Sequence, residues 1–315
     1  MPIASLRTKL VDKWNEFKVW RLPPAINKAH RVLTMPFSIY FLTSSAKIHP
    51  DYNMTQLKRM KLALRFFWNN ARMTSASSYR AHLVMAMKLL ELPRSLKGDV
   101  VECGCYKGAM TVNLSIACEI AGRKLKVYDS FEGLPPPTGR DFWPEGVPFI
   151  PGVFKGALEE VTDNVKRYGK LAVCEFRKGW FKDTLPHHEG DVVMAVVDVD
   201  YHSSLYDCVT SLWPHLVDQG YFFIDEYVFP DYCAIFYSEK FWRTRFNVDP
   251  PGLIGAGSGV QVGEYYIGPW SELWLSHNPA SIAYTRKGQR GVWDYYPDEA
   301  PAAAVEQPAN GSETA

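Results

Sequence analysis

The apolar positions follow two rhythms, and the change comes near residue 98. Between about 54 and 92, Leu57, Met60, Leu62 and Leu64, then Leu83, Met85, Met87, Leu89 and Leu90, recur at helical spacing, and Pro93 closes the stretch. After Gly98, short β-branched runs at Asp99–Cys103, Lys126–Tyr128, Ala172–Phe176, Val192–Val199 and Tyr221–Ile224 alternate with amphipathic stretches at Ala109–Ala121, Ala157–Tyr168 and Ser203–Leu216. Strands apolar on both faces and separated by helices predict a mostly parallel sheet in a doubly wound α/β fold. Such sheets bind ligands beyond the carboxyl ends of their strands, so the residues after each strand carry the functional information. The expected organisation is an N-terminal arm and helical region over 1–92, the α/β domain over 93–296 and a disordered tail over 297–315.

Composition narrows the classes. With 47% hydrophobic residues in 315, the chain has material for a sizeable core. A net charge of +1 gives no global basic field to gather nucleic acid. The longest nearly apolar run, Val32 to Leu42, is shorter than the roughly 20 residues of a membrane span and contains Pro36. Charged residues at the N-terminus leave no room for a signal peptide, which predicts a cytoplasmic protein. The six cysteines form no CxxC pair and mostly sit in apolar runs, so they are expected to be buried thiols.

The first strand ends in Glu102-Cys103-Gly104-Cys105-Tyr106-Lys107-Gly108 and leads directly into a helix. Glycines here let the backbone approach a ligand, and the helix start offers free N–H groups. Asp129 ends the second strand, where a carboxylate can take the ribose hydroxyls of a nucleoside cofactor. The spacing is not GxGxxG, and Glu102 would repel a pyrophosphate while welcoming a sulfonium or an α-amino group. That favours S-adenosylmethionine over a nicotinamide cofactor. Asp198 and Asp200 end an apolar run, and Asp225 and Glu226 end the next. Spaced i, i+2 on extended backbone, Asp198 and Asp200 are expected to point to one side. Four carboxylates at neighbouring strand ends repel one another unless a cation intervenes, and hard oxygen ligands suit Mg²⁺. The plainer alternative is that these acids cap turns and helices.

Three blocks then carry a family resemblance. Gly98-Asp99-Val100-Val101-Glu102-Cys103-Gly104, Asp129-Ser130-Phe131-Glu132-Gly133-Leu134-Pro135 and Gly179-Trp180-Phe181-Lys182-Asp183-Thr184-Leu185-Pro186 appear in order within residues 98–227. This region resembles the macrocin, mycinamicin and novobiocic acid O-methyltransferases, class I enzymes that use S-adenosylmethionine. The resemblance implies a methyltransferase-type Rossmann fold. It also implies cofactor contacts from Glu102, Gly104, Tyr106, Gly108, Asp129, Ser130, Phe131, Gly179, Trp180 and Asp198. By the same resemblance Asp198, Asp225 and Glu226 would hold the metal and Asp200 would be the general base, with His202 an alternative base. Glu226 stands where the family has a second Asp, one methylene shorter. The implied acceptor is a hydroxyl of a sugar, glycan or secondary metabolite. The segment Pro135 to Lys155 carries Phe142, Trp143, Phe149 and Phe154, which would make an aromatic floor for a sugar or a ring or, on the plainer alternative, a loop that covers a core.

The resemblance does not reach residues 1–45. Residues 1–50 hold eight Lys or Arg against two acids, interleaved with Trp14, Phe17, Phe37, Tyr40 and Phe41. This arm is expected to pack on the catalytic domain or on a second subunit of a homo-oligomer. The alternative is that it lies on a membrane surface.

Overall fold

The computed structural model describes residues 33, 35–37, 39–139, 141, 150–225, 227, 230–255 and 282–288. Most of the N-terminal arm, three of the four aromatics in the segment Pro135 to Lys155, Glu226 and the tail lie outside the described residues. A helical stretch within 33–44 precedes α1 (Gln56–Arg72) and α2 (Tyr79–Leu89). Thr55 and Ser78 cap them, each side chain accepting an early backbone N–H. The α/β part follows as β1 (Asp99–Cys103), α3 (Ala109–Ala121), β2 (Leu125–Asp129), α4 (Leu158–Tyr168), β3 (Cys174–Lys178), α5 (Phe181–Thr184), β4 (Val192–Val197), α6 (His202–Leu212) and β5 (Leu216–Ile224). Short α7 (Pro230–Cys233), α8 (Glu239–Phe246), β6 (Ile254–Gly255) and β7 (Ala283–Arg286) complete it.

The described strands form one seven-stranded sheet in the order β3-β2-β1-β4-β5-β7-β6. β1 pairs in parallel with both β2 and β4, while β7 runs antiparallel to β5. The order reverses at β1, so the crevice between β1 and β4 is the topological switch point. Side chains alternate between two cores. Val100, Val127 and Phe223 face α1 to α4, while Val101, Val197 and Phe222 face α6, Trp213 and Trp242. The N-terminal helices therefore share a core with the sheet.

Helix α3 is buried on nearly every side, and its buried polar residues Thr111, Asn113 and Ser115 each find hydrogen-bond partners. α6 stops at Leu212, earlier than the pattern indicates, because Pro214 has no N–H to continue the ladder. β5 accordingly begins at Leu216 rather than Tyr221. α1 also departs from expectation: Leu62 and Phe66 face inward, but Leu57 and Leu64 face solvent. All six cysteines are free thiols, five of them buried.

Candidate active site

The carboxyl ends of β1, β2, β4 and β5 border a cavity of about 560 Å³, within the range of about 300–1,000 Å³ usual for small-molecule sites. After β1 the chain turns at Gly104, with φ 83°. A side chain there would collide with the carbonyl of Asp198, so only glycine lets the ends of β1 and β4 close together. Asp129 Oδ2 accepts the Cys105 N–H at 2.7 Å and Oδ1 accepts the Phe131 N–H at 2.6 Å. Burial nevertheless outweighs these amides and raises its pKa above the ordinary value.

Asp198 and Asp225 are the first residues past β4 and β5. Their amides donate to Cys103 O at 2.9 Å and Val197 O at 3.1 Å, carrying the ladder one step further and bringing both residues to the cavity wall. Asp200 joins them, but by a turn: its φ is 58°, so the extended i, i+2 geometry expected for this pair is not present. Tyr106, Phe131, Phe154 and Asp200 all hold φ between 48° and 60°, a region costing a non-glycine residue roughly 1–2 kcal/mol. Three of these residues border the cavity and Phe131 adjoins Ser130, which does too. Strain gathered around one cavity is the pattern of a working site.

Glu102 lies two residues before Gly104 and is fully buried. One of its oxygens accepts from Thr111 Oγ1 at 3.0 Å, and Oε2 has no hydrogen-bond partner. Burial, opposed by the Thr111 bond and reinforced by Asp129, pushes its pKa up to about 8.

The opposite wall is helical. Residues Thr74–Ser77, between α1 and α2, border the cavity, and a polar network behind them fixes their position. Ser77 Oγ bonds His82 Nε2 at 2.7 Å, and Asn113 Nδ2 meets His82 Nδ1 at 2.9 Å. Asn113 Oδ1 accepts from Asn69, its Nδ2 donates to Asn70 Oδ1, and Asn70 donates to Ser77 O at 3.0 Å. His82 is fully buried and desolvation drops its pKa to about 3, so it is neutral. A third element closes the side. Asp141, itself buried, accepts from the Ser203 N–H at 2.9 Å and Ser203 Oγ at 2.8 Å. It thereby caps α6, whose own Tyr201 provides no side-chain cap.

Of the residues read from the sequence, Gly104, Tyr106, Asp129 and Ser130 meet Gly179, Trp180, Asp198, Asp200 and Asp225 around this cavity. Glu102, Gly108, Phe131 and His202 do not line it. Gly108 starts α3 against Val161, Phe131 packs on Phe176, and His202 opens α6. Phe154 borders the cavity edge-on to Tyr106. Among the described residues no three His, Cys, Asp or Glu side chains converge as a metal site. Thr74–Ser77, Asp141 and Asp207 escaped the sequence reading. A polar run between two helical patterns was the available signal for the first of these.

Residues 77–251 match the family model described as Macrocin-O-methyltransferase (TylF). A Streptomyces olivaceus protein, 8-demethyl-8-(2,3-dimethoxy-alpha-L-rhamnosyl)-tetracenomycin-C 4'-O-methyltransferase, is 31% identical over 198 residues, covering 57% of this chain and 74% of the relative. Demethyldecarbamoylnovobiocin O-methyltransferase of Streptomyces niveus is 28% identical over 186 residues, 53% of this chain and 70% of its own. The solved structure of the O-methyltransferase NovP shares the fold with a TM-score of 0.53 and 21% identity, covering 82% of this chain and 99% of that one.

Proposed function

The chain belongs to the macrocin O-methyltransferase family, and we propose that it takes a methyl group from S-adenosylmethionine and transfers it to a hydroxyl of a sugar-bearing or other small secondary metabolite. The observation that carries this reading is the cavity at the switch point, which joins the glycine turn and Asp129 to Asp198, Asp200 and Asp225. The relatives' names, with a rhamnosyl tetracenomycin and a novobiocin among their acceptors, support the acceptor class.

The residues fit the cofactor. Asp129, Asp198, Asp200 and Asp225 around the cavity suit a cationic sulfonium ligand. Gly104 lets the ends of β1 and β4 close together beside the cavity, and Asp129 borders it at the end of β2, where a carboxylate can take a ribose diol. Bound S-adenosylmethionine supplies an electrophilic methyl on a sulfonium. Asp129 orients the nucleoside, Trp180 and Tyr106 shield the cavity from water, and Asp200 takes the proton of the acceptor hydroxyl.

The donor set also fits Mg²⁺ in kind, because every candidate ligand is a carboxylate and this ion keeps several waters. Asp198 and Asp225, with Glu226, would hold it. Such an ion lowers the pKa of a bound hydroxyl.

Incubating the protein and metabolite extracts with methyl-labelled S-adenosylmethionine tests the reading. Label recovered on an oxygen of an isolated product supports it. Binding of NADH, with no label transferred, overturns it.

A further inference from the structure

Helix α1 carries a surface that the catalytic reading does not use. Its buried face is Leu62, Ala63, Phe66 and Asn69. At 100° per residue, Leu57, Leu64, Trp68 and Ala71 fall in one narrow stripe on the opposite side. Leu57 is 62% and Trp68 54% exposed, so the stripe faces solvent. Lys61, Arg72, Arg65 and Lys58 follow directly along one flank, all exposed. Arg72 leans over the Trp68 ring at 6.0 Å, joining the two stripes. α1 contains no acid. The helical stretch within 33–44 repeats the theme: Ile39 and Leu42 are buried while Phe37, 64% exposed, and Tyr40 face outward. Arg59 Nη1 ties this stretch to α1 by donating to the carbonyls of Thr43 and Ala46.

The charge of the whole chain is polarised in the same sense. Residues 1–72 hold 13 Lys or Arg against 3 Asp or Glu, a net +10, and the chain total of +1 leaves −9 for the remainder. We infer that the outward face of α1 docks on an anionic lipid surface, with Leu57, Leu64 and Trp68 in the interface and the flanking cations on the headgroups. Two other occupants are disfavoured by charge. An isologous contact with a second copy would set this basic flank against its own twin. Residues 1–31 carry seven basic residues against two acids, so they are repelled from the same face. The loop Thr74–Ser77 follows α1 and borders the cavity, so docking would hold the site close to the membrane.

Co-sedimentation of the full-length protein with vesicles of phosphatidylglycerol and phosphatidylcholine is the test. The protein should sediment with these vesicles, stay in solution with pure phosphatidylcholine, and be released by high salt. Lys58→Glu/Lys61→Glu should lower the partition about tenfold or more, and Leu57→Ser/Trp68→Ser should lower it comparably. Both pairs are exposed, so an unchanged melting temperature verifies that the variants fold. Failure to bind anionic vesicles overturns the inference, as does binding that neither double variant weakens. A dimer in analytical ultracentrifugation that dissociates in Leu57→Ser/Trp68→Ser, without vesicle binding, assigns the face to a second copy.

Discussion

The two walls of the cavity are built on opposite physical plans. The strand-end wall concentrates charge and strain. Asp129, Asp198, Asp200 and Asp225 border one cavity, Asp200 and Tyr106 sit in left-handed turns, and Glu102, two residues before Gly104, is buried with one oxygen unpartnered. The helical wall is held by a network of neutral side chains: His82 has both ring nitrogens engaged, and Asn113 bridges three helices. Unfavourable charge is tolerable where a ligand can offset it, whereas a wall that only holds a shape is better served by a fully satisfied network. The first wall is therefore expected to govern chemistry and its pH response, and the second to govern stability and cofactor fit.

Chelation gives the largest expected effect. Dialysis against EDTA should abolish methyl transfer and Mg²⁺ should restore it, with Asp198→Asn and Asp225→Asn equally damaging. Full activity after chelation would remove the metal from the account and turn Glu226 into a mark of metal-independent chemistry. Asp200→Asn should lower kcat by roughly 10²–10⁴ while leaving cofactor affinity intact, the usual worth of a general base. A matching loss in His202→Ala but not in Asp200→Asn would transfer that role.

Glu102 sharpens the comparison through pH. Its pKa rises from 4.5 to about 8 on burial. Between those values the folded chain keeps a proton that the unfolded chain has released, so stability falls as pH rises through the window. Glu102→Gln should remove that dependence, a total change on the order of 5 kcal/mol across the window, in denaturant titrations from pH 4 to 9. A slope that persists in the variant would exclude Glu102 as its source. His82 acts with the opposite sign: at about 3 when folded, it makes stability fall as pH drops below 6.5.

On the helical wall, Asn113→Ala strands partners on α1 and α2 and should cost about 2–3 kcal/mol. The cofactor KM should rise while kcat changes little. An unchanged melting temperature would mean that the network does not fix the wall.

These walls also differ in how legible they are in the sequence. The β1 and α3 boundaries agree with the pattern, because glycines and β-branched runs mark them locally. The strand-end acids stand out since a carboxylate ending an apolar run is anomalous wherever it occurs. The helical wall has no such local mark. Asn69 and Asn113 look like ordinary polar positions in helices, and their bond spans 44 residues of sequence, while Asp141 reaches Ser203 across 62. Periodicity likewise gives α1 an apolar content without saying which of two apolar stripes is the buried one.

Entry of the cofactor between these walls is tested most directly by calorimetric titration with S-adenosylhomocysteine. One equivalent should bind the native protein, and Asp129→Ala should bind about 1–3 kcal/mol more weakly, the scale of a lost charge-assisted hydrogen-bond pair. Undiminished affinity in the variant would remove Asp129 from the site. No binding to the native protein, with NADH binding in its place, would contradict the account as a whole.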